Sequence, residues 1–242
     1  MTTDPMRAVP VLVPDAGPPL DYYLVLPRPG GPAATVEGFV VEEFTRHHDF
    51  TTTGLDSAAW TPEAGWWSST VLSRGMRTDP EVLERVVPTS RREAEEIYRA
   101  LGGGQLPDES VLRTHFLDHH PIASAPPLRL GPAQPPAGFH ERRVYRVLFA
   151  KELRADQLAS LRTAWRTPAG GTGTSAASGR RDTGADQITW DLRRVGHHLA
   201  WALDVMVLLT TDAVDAVGST LTELTNVLRQ HGLIPVTTER FS

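Results

Sequence analysis

Between His197 and Thr210 every second residue is apolar: Leu199, Trp201, Leu203, Val205, Val207 and Leu209. A strict period of two over that length predicts a β-strand with one face against a core, because a helix repeats its apolar positions every three or four residues. Val144–Ala150 alternates in the same way, with Tyr145, Val147 and Phe149 on one side, and so do Ile188, Trp190 and Leu192. Helical spacing lies between these strands. Leu158, Leu161 and Trp165 mark a helix over Arg154–Trp165, and Val214, Val217, Leu221, Leu224 and Leu228 mark another over Ala213–Arg229, opened by Asp212 and stopped by Gly232. Val195-Gly196 makes a tight turn, and Leu233–Phe241 supplies a last strand. Strand, helix, strand, strand, helix, strand is the order of a ferredoxin-like βαββαβ domain. Right-handed crossovers then favour a four-stranded antiparallel sheet with both helices on one face.

The first half is less regular. Asp21–Pro27, Val36–Thr45 and Trp66–Arg74 combine β-branched and aromatic residues between Pro/Gly-rich turns and read as strands. Asp79 opens a short helix over Pro80–Val87, closed by Pro88, and Ser90 with Glu93 forms a capping-box pattern for a second, ending at Leu101 before Gly102-Gly103-Gly104. Asp108 caps a third helix that runs towards Pro121. The expected class is therefore α+β: an irregular N-terminal unit over 1–120, then the ferredoxin-like domain over 139–242. The six prolines between Pro121 and Gly138 make 121–138 the linker, since proline at that density removes backbone donors. The stretch 168–186, rich in Gly, Ser and Thr, has too little apolar surface to order itself and is expected to be a mobile loop.

Composition narrows the function classes. The chain has 242 residues, a net charge of -5, 40% hydrophobic residues and no cysteine. The acidic balance disfavours nucleic acid and anionic membranes, and the absence of thiols removes disulfides, thiolate metal sites and cysteine nucleophiles. No stretch is apolar enough for a membrane span, and Met1–Pro10 lacks the apolar core of a signal peptide, so the expected location is the cytoplasm. No phosphate loop, nucleophile elbow or RNA-binding aromatic signature is present.

Two clusters could carry chemistry. His115, Asp118 and His119 have the outline H-x-x-D-H; on a helix His115 and His119 would lie one turn apart on one face, the geometry by which paired histidines grip a divalent metal. His47-His48-Asp49 could add a third ligand. Histidines also suit the last turn of a helix, beside its carbonyl end, with no metal at all, and no cofactor is otherwise expected. The second cluster is the sheet face opposite the C-terminal helices, where alternation places Val144, Arg146 and Leu148 with His198, Ala200, Ala202, Asp204, Met206 and Leu208. That face is half apolar and needs an occupant, whether the N-terminal half, another protein, a second copy or a small molecule held by Arg146, His198 and Asp204. The leading expectation is a non-catalytic binding or accessory protein, of a regulatory or immunity type, acting through a sheet face or edge. The alternative is an enzyme with the histidine metal site or with a pocket on the open face, as where two such sheets face each other in a dimeric α+β barrel.

Overall fold

Each half of the chain builds one antiparallel sheet. The computed structural model describes residues 17–28, 36–123, 132, 134–167, 175–196, 200–212 and 214–241. The N-terminal half contains β1 (Asp21–Val25), β2 (Gly38–Arg46), β3 (Thr52–Thr61), β4 (Gly65–Ser68), α1 (Thr70–Thr78), α2 (Pro80–Arg85), β5 (Val86–Thr89), α3 (Arg91–Ala100), α4 (Glu109–Arg113) and β6 (His119–Pro121). Its strands lie in the order β4-β3-β2-β1-β5, and β6 also pairs with β3. The C-terminal half contains β7 (Glu141–Ala150), α5 (Ala155–Ala164), β8 (Ser175–Thr183), β9 (Asp186–Val195), β10 (Ala200–Leu209), α6 (Asp215–Gln230) and β11 (Ile234–Arg240). These strands lie in the order β11-β7-β10-β9-β8. The protein is thus a mixed chain of two antiparallel sheets with helices, an α+β architecture.

Alternation decides the C-terminal core. Tyr145, Val147 and Phe149 of β7, Ile188 and Leu192 of β9, and Trp201, Leu203, Val205, Val207 and Leu209 of β10 pack with Leu161 of α5 and Val217, Leu221, Leu224 and Leu228 of α6. Both helices therefore cover one face of this sheet. In the N-terminal half Tyr22, Phe39, Val41, Ala58 and Trp60 face Ala94 and Tyr98 of α3 and Leu112 of α4. The opposite face places Tyr23, Val40 and Ala59 against Met76, Val86 and, from the other half, Ile234.

The halves also meet through Phe50, in the β2–β3 turn, whose ring lies over Gly218 of α6 and 6.3 Å from Tyr145. Any side chain at Gly218 would overlap that ring, so the close approach needs glycine there. Phe50 holds a left-handed φ of 70°, a strained value for an aromatic residue that its docking between the halves offsets.

Four expectations change. Trp66–Arg74 is not one strand: β4 ends at Ser68 and α1 follows. The missing central strand is β3, whose Leu55, Ser57, Ala58, Ala59 and Trp60 are all buried, so it shows no alternation to read. The helix expected from Pro80 to Val87 stops at Arg85, because Val86–Thr89 pairs with β1 as an edge strand, a position that tolerates Pro88. Part of the expected loop 168–186 is ordered: Ser175–Thr183 pairs with β9 along its length, while 168–174 lie outside the described residues. Pairing supplies what composition lacks there, since Ala177 reaches the core and Gly179 lets the Trp190 indole lie flat on the strand. Half of the proline-rich linker, 124–131 and 133, also lies outside the described residues.

Candidate functional site

The face of the C-terminal sheet turned away from α5 and α6 carries the second cluster. Register makes it a grid. Asp191 of β9, Asp204 of β10 and Arg146 of β7 form one cross-strand row; Thr189, Met206 and Val144 form the next, and Gln187, Leu208 and Arg142 the one after. Val144 and Met206 floor a shallow hollow of about 430 Å³, rimmed by Arg142, Arg193, Asp191 and Asp204. Ala202 and Leu208, further along β10 on the same face, are buried as Val144 is.

Arg146 and Asp204 meet as alternation implies, but they bind each other. Arg146 Nε and Nη2 donate to Asp204 Oδ1 and Oδ2 at 2.6 and 3.0 Å, and Arg193 Nε donates to Asp204 Oδ2 at 2.9 Å. Asp204, 18% exposed, is thus held from both sides. Its hydrogen bond and charge hold the Arg146 guanidinium above its usual range against the opposing effect of burial, and Arg146 also stacks 4.9 Å over Phe241. His198, the third residue of this cluster, lies outside the described residues.

Two groups of opposite charge on this face, Asp191 and Arg142, make no ion pair among the described residues. Asp191 Oδ1 is buried and accepts no hydrogen bond, and Arg142 makes no hydrogen bond or ion pair among the described residues. They sit on opposite flanks of β10, and the register puts Met206 midway between them.

Side chains bond part of the backbone along both edges of the same sheet. On β8, Thr167 Oγ1 donates to the Ser178 carbonyl at 2.9 Å and accepts from the Ser178 amide at 3.1 Å, while Arg162 Nε donates to the Ala176 carbonyl at 2.6 Å. On β11, Arg77 Nε donates to the Pro235 carbonyl at 2.7 Å, and the Thr238 amide donates to Thr52 Oγ1 at 3.0 Å. Each donor or acceptor so taken is one fewer to template another strand.

The histidine cluster loses its geometric basis. α4 ends at Arg113, so His115 and His119 do not share a helix. His115 stacks on Trp66 with ring centroids 5.8 Å apart, whereas His119 sits in β6, where its Nδ1 lies 2.9 Å from Asp56 Oδ1 and its ring covers Gly54. Asp118 donates its amide to Ser68 Oγ at 3.1 Å. His47 and His48 contact each other in the β2–β3 turn, where His47 Nδ1 is 3.4 Å from Asp49. No group of three or more metal-ligating side chains gathers among the described residues. Nor, among them, is any helix long and apolar enough to cross a membrane.

Comparison with known proteins finds no matching family model, no similar curated protein and no similar solved structure.

Proposed function

We propose that this chain is a non-catalytic binding protein that works through the open face of its C-terminal sheet, with a second copy of itself as the partner on that face. The reading takes β7, α5, β9, β10, α6 and β11 as a ferredoxin-like unit to which β8 adds an edge strand. The observation that carries it is the unsatisfied pair Asp191 and Arg142 on either side of Met206. A two-fold axis beside Met206 brings Arg142 of each copy over Asp191 of the other, so one contact, made twice, satisfies both charges. The apolar floor between them supplies area to bury, and a mixed floor and charged rim is the composition of a protein interface. An edge-to-edge mode has less support, since the side chains of Thr167, Arg162, Arg77 and Thr52 already bond parts of the strand edges. In a pocket built on Arg146 and Asp204 the two charges already neutralise each other.

Sedimentation velocity on the full chain tests this reading. The 26.5 kDa chain should sediment at twice that mass at micromolar concentration. Met206→Glu, which puts a carboxylate on the apolar floor beside Asp204, should sediment as a monomer with an unchanged circular dichroism spectrum. A wild-type protein that stays monomeric at 100 µM, or a Met206→Glu variant as dimeric as the parent, would show the face to be no self-association site; the concentration is about the weak limit of a specific homodimer.

A further inference from the structure

A second surface feature lies elsewhere, in the cleft between the N-terminal sheet and α6, and it does not depend on docking at the open face. α6 carries two stripes. Val217, Leu221, Leu224 and Leu228 bury against the C-terminal sheet, while Thr222, Thr225, Asn226 and Arg229, spaced equally well for a helix face, turn towards the N-terminal half and stay polar. Between that polar stripe and β1, β2 and the start of α3 lies a cavity of about 590 Å³, within the size range of small-molecule sites.

Its lining is densely charged, yet most charges already have partners. Arg77 holds Glu42 by two hydrogen bonds, at 2.9 and 2.7 Å, and Arg113 holds Glu43 by two, at 2.8 and 3.0 Å. Glu93 belongs to the capping box of α3, Glu109 accepts from the Tyr22 hydroxyl at 3.0 Å, and Arg91 bonds Tyr22 and the Pro107 carbonyl. Arg229 reaches Asp21 Oδ1 at 2.8 Å. With Arg77 and Arg113 counted behind the wall, the carboxylates Asp21, Glu42, Glu43, Glu93 and Glu109 match the guanidiniums of Arg46, Arg77, Arg91, Arg113 and Arg229 in number. A ligand with net charge of either sign therefore gains nothing from the cleft as a whole.

What remains unsatisfied is specific. Arg46 makes no side-chain hydrogen bond among the described residues and stands at the exposed mouth. Thr225 is 8% exposed, lines the cavity, and its hydroxyl has no hydrogen-bond partner among the described residues. Asp21, paired with Arg229 through Oδ1, lies beside its cross-strand neighbour Glu42, which puts two carboxylates at the floor. Burial, with the neighbouring Glu42, pushes the Asp21 carboxyl up despite Arg229, and a cation placed beside it would oppose that shift. Leu20, Phe44, Pro18, Pro19 and Pro88 supply the apolar part of the lining.

We propose that this cleft binds a small zwitterion, a free amino acid or dipeptide with an apolar side chain, whose ammonium lies on Asp21 and whose carboxylate meets Arg46 and the Thr225 hydroxyl. Thermal denaturation of the full chain with each of the twenty amino acids and a set of apolar dipeptides, followed by calorimetric titration of the best binder, tests it. At least one of these probes should raise the melting temperature by about 3 °C at ten times its dissociation constant. Its N-acetyl and methyl-ester forms, each lacking one charge, should fail. Arg46→Ala should bind about tenfold more weakly and Thr225→Val about fivefold, both melting like the parent without ligand. The proposal is overturned if no amino acid or dipeptide shifts the transition, if the blocked forms bind as well as the free one, or if the two variants keep full affinity. The arms with amino acids and with dipeptides tell the two sources apart.

Discussion

Replacing Glu42 with Gln should be among the most damaging conservative substitutions in this protein. Glu42 is fully buried and Arg77 is 6% exposed, and the two are joined by paired hydrogen bonds of 2.9 and 2.7 Å. Arg77 also donates to the Ser73 carbonyl at 2.7 Å and, across the junction of the halves, to Pro235 at 2.7 Å, so it has no route to solvent. The amide keeps the shape of the carboxylate but leaves a buried cation uncompensated and turns an N–H towards a guanidinium. Breaking one side of such a pair costs about 3–5 kcal/mol, against a total stability of about 5–15 kcal/mol. For a chain of this length that corresponds to roughly 6–20 °C in melting temperature. Removing both partners, as Glu42→Met with Arg77→Met, should cost only about 1–3 kcal/mol, chiefly for the Pro235 carbonyl left without a donor. Urea unfolding of the parent, Glu42→Met, Arg77→Met and the double variant, followed by circular dichroism and by tryptophan fluorescence, gives the four corners of the cycle. A loss below about 1 kcal/mol for Glu42→Gln, or single losses that simply add in the double variant, would refute the view that this pair locks the halves together.

Three further outcomes follow from individual contacts. Asp21 titrates above its ordinary 3.8 when folded, because burial outweighs the attraction of Arg229; its contribution to stability is complete below pH 3.8 and is lost as pH rises through the raised value. The unfolding free energy of the parent minus that of Asp21→Asn should therefore fall as pH rises from the acid side of that range to neutrality, and a flat or rising difference would contradict the assignment. Ser90→Ala removes the side-chain cap of α3, the helix that brings Ala94 and Tyr98 to the core, and should cost about 1 kcal/mol in urea unfolding; no change would mean that the reciprocal Ser90–Glu93 bonds contribute nothing. Gly179→Ala would set a methyl into the Trp190 indole and should cost about 1–3 kcal/mol with a shifted tryptophan emission, whereas a neutral result would mean that β8 can move off the core freely.

Periodicity made β7, β9 and β10 legible because alternate residues of each pack under the helices, and Leu203, Val205 and Val207 announce that face. β3 was illegible for the opposite reason: with Ala58 and Ala59 buried on opposite faces, its sequence carries no contrast. β8 was missed because Ser175–Thr183 orders through pairing with β9, a long-range contact that composition does not encode. The open face was foreseeable from alternation, and so were Arg146 and Asp204 as its polar members. Their direct pairing required the register that sets Asp204 opposite Arg146, and Arg193 beside them went unnoticed. His115 and His119 misled because their spacing suits a helix that α4 does not continue. The second stripe of α6 was visible as Thr222, Thr225, Asn226 and Arg229, but polar residues on a helix ordinarily signify solvent, and only the packing of the halves makes them a cleft wall.

Charge reversal tests the docking of two copies on the open face most directly. Arg142→Asp alone would set a second carboxylate over Asp191 of each partner, and Asp191→Arg alone would set a second guanidinium against Arg142, so sedimentation should find each variant monomeric. Mixed in equal amounts, the two variants should form a heterodimer, because both contacts across the two-fold axis then join a carboxylate to a guanidinium. Single variants as dimeric as the parent, or a mixture that stays monomeric, would contradict the account.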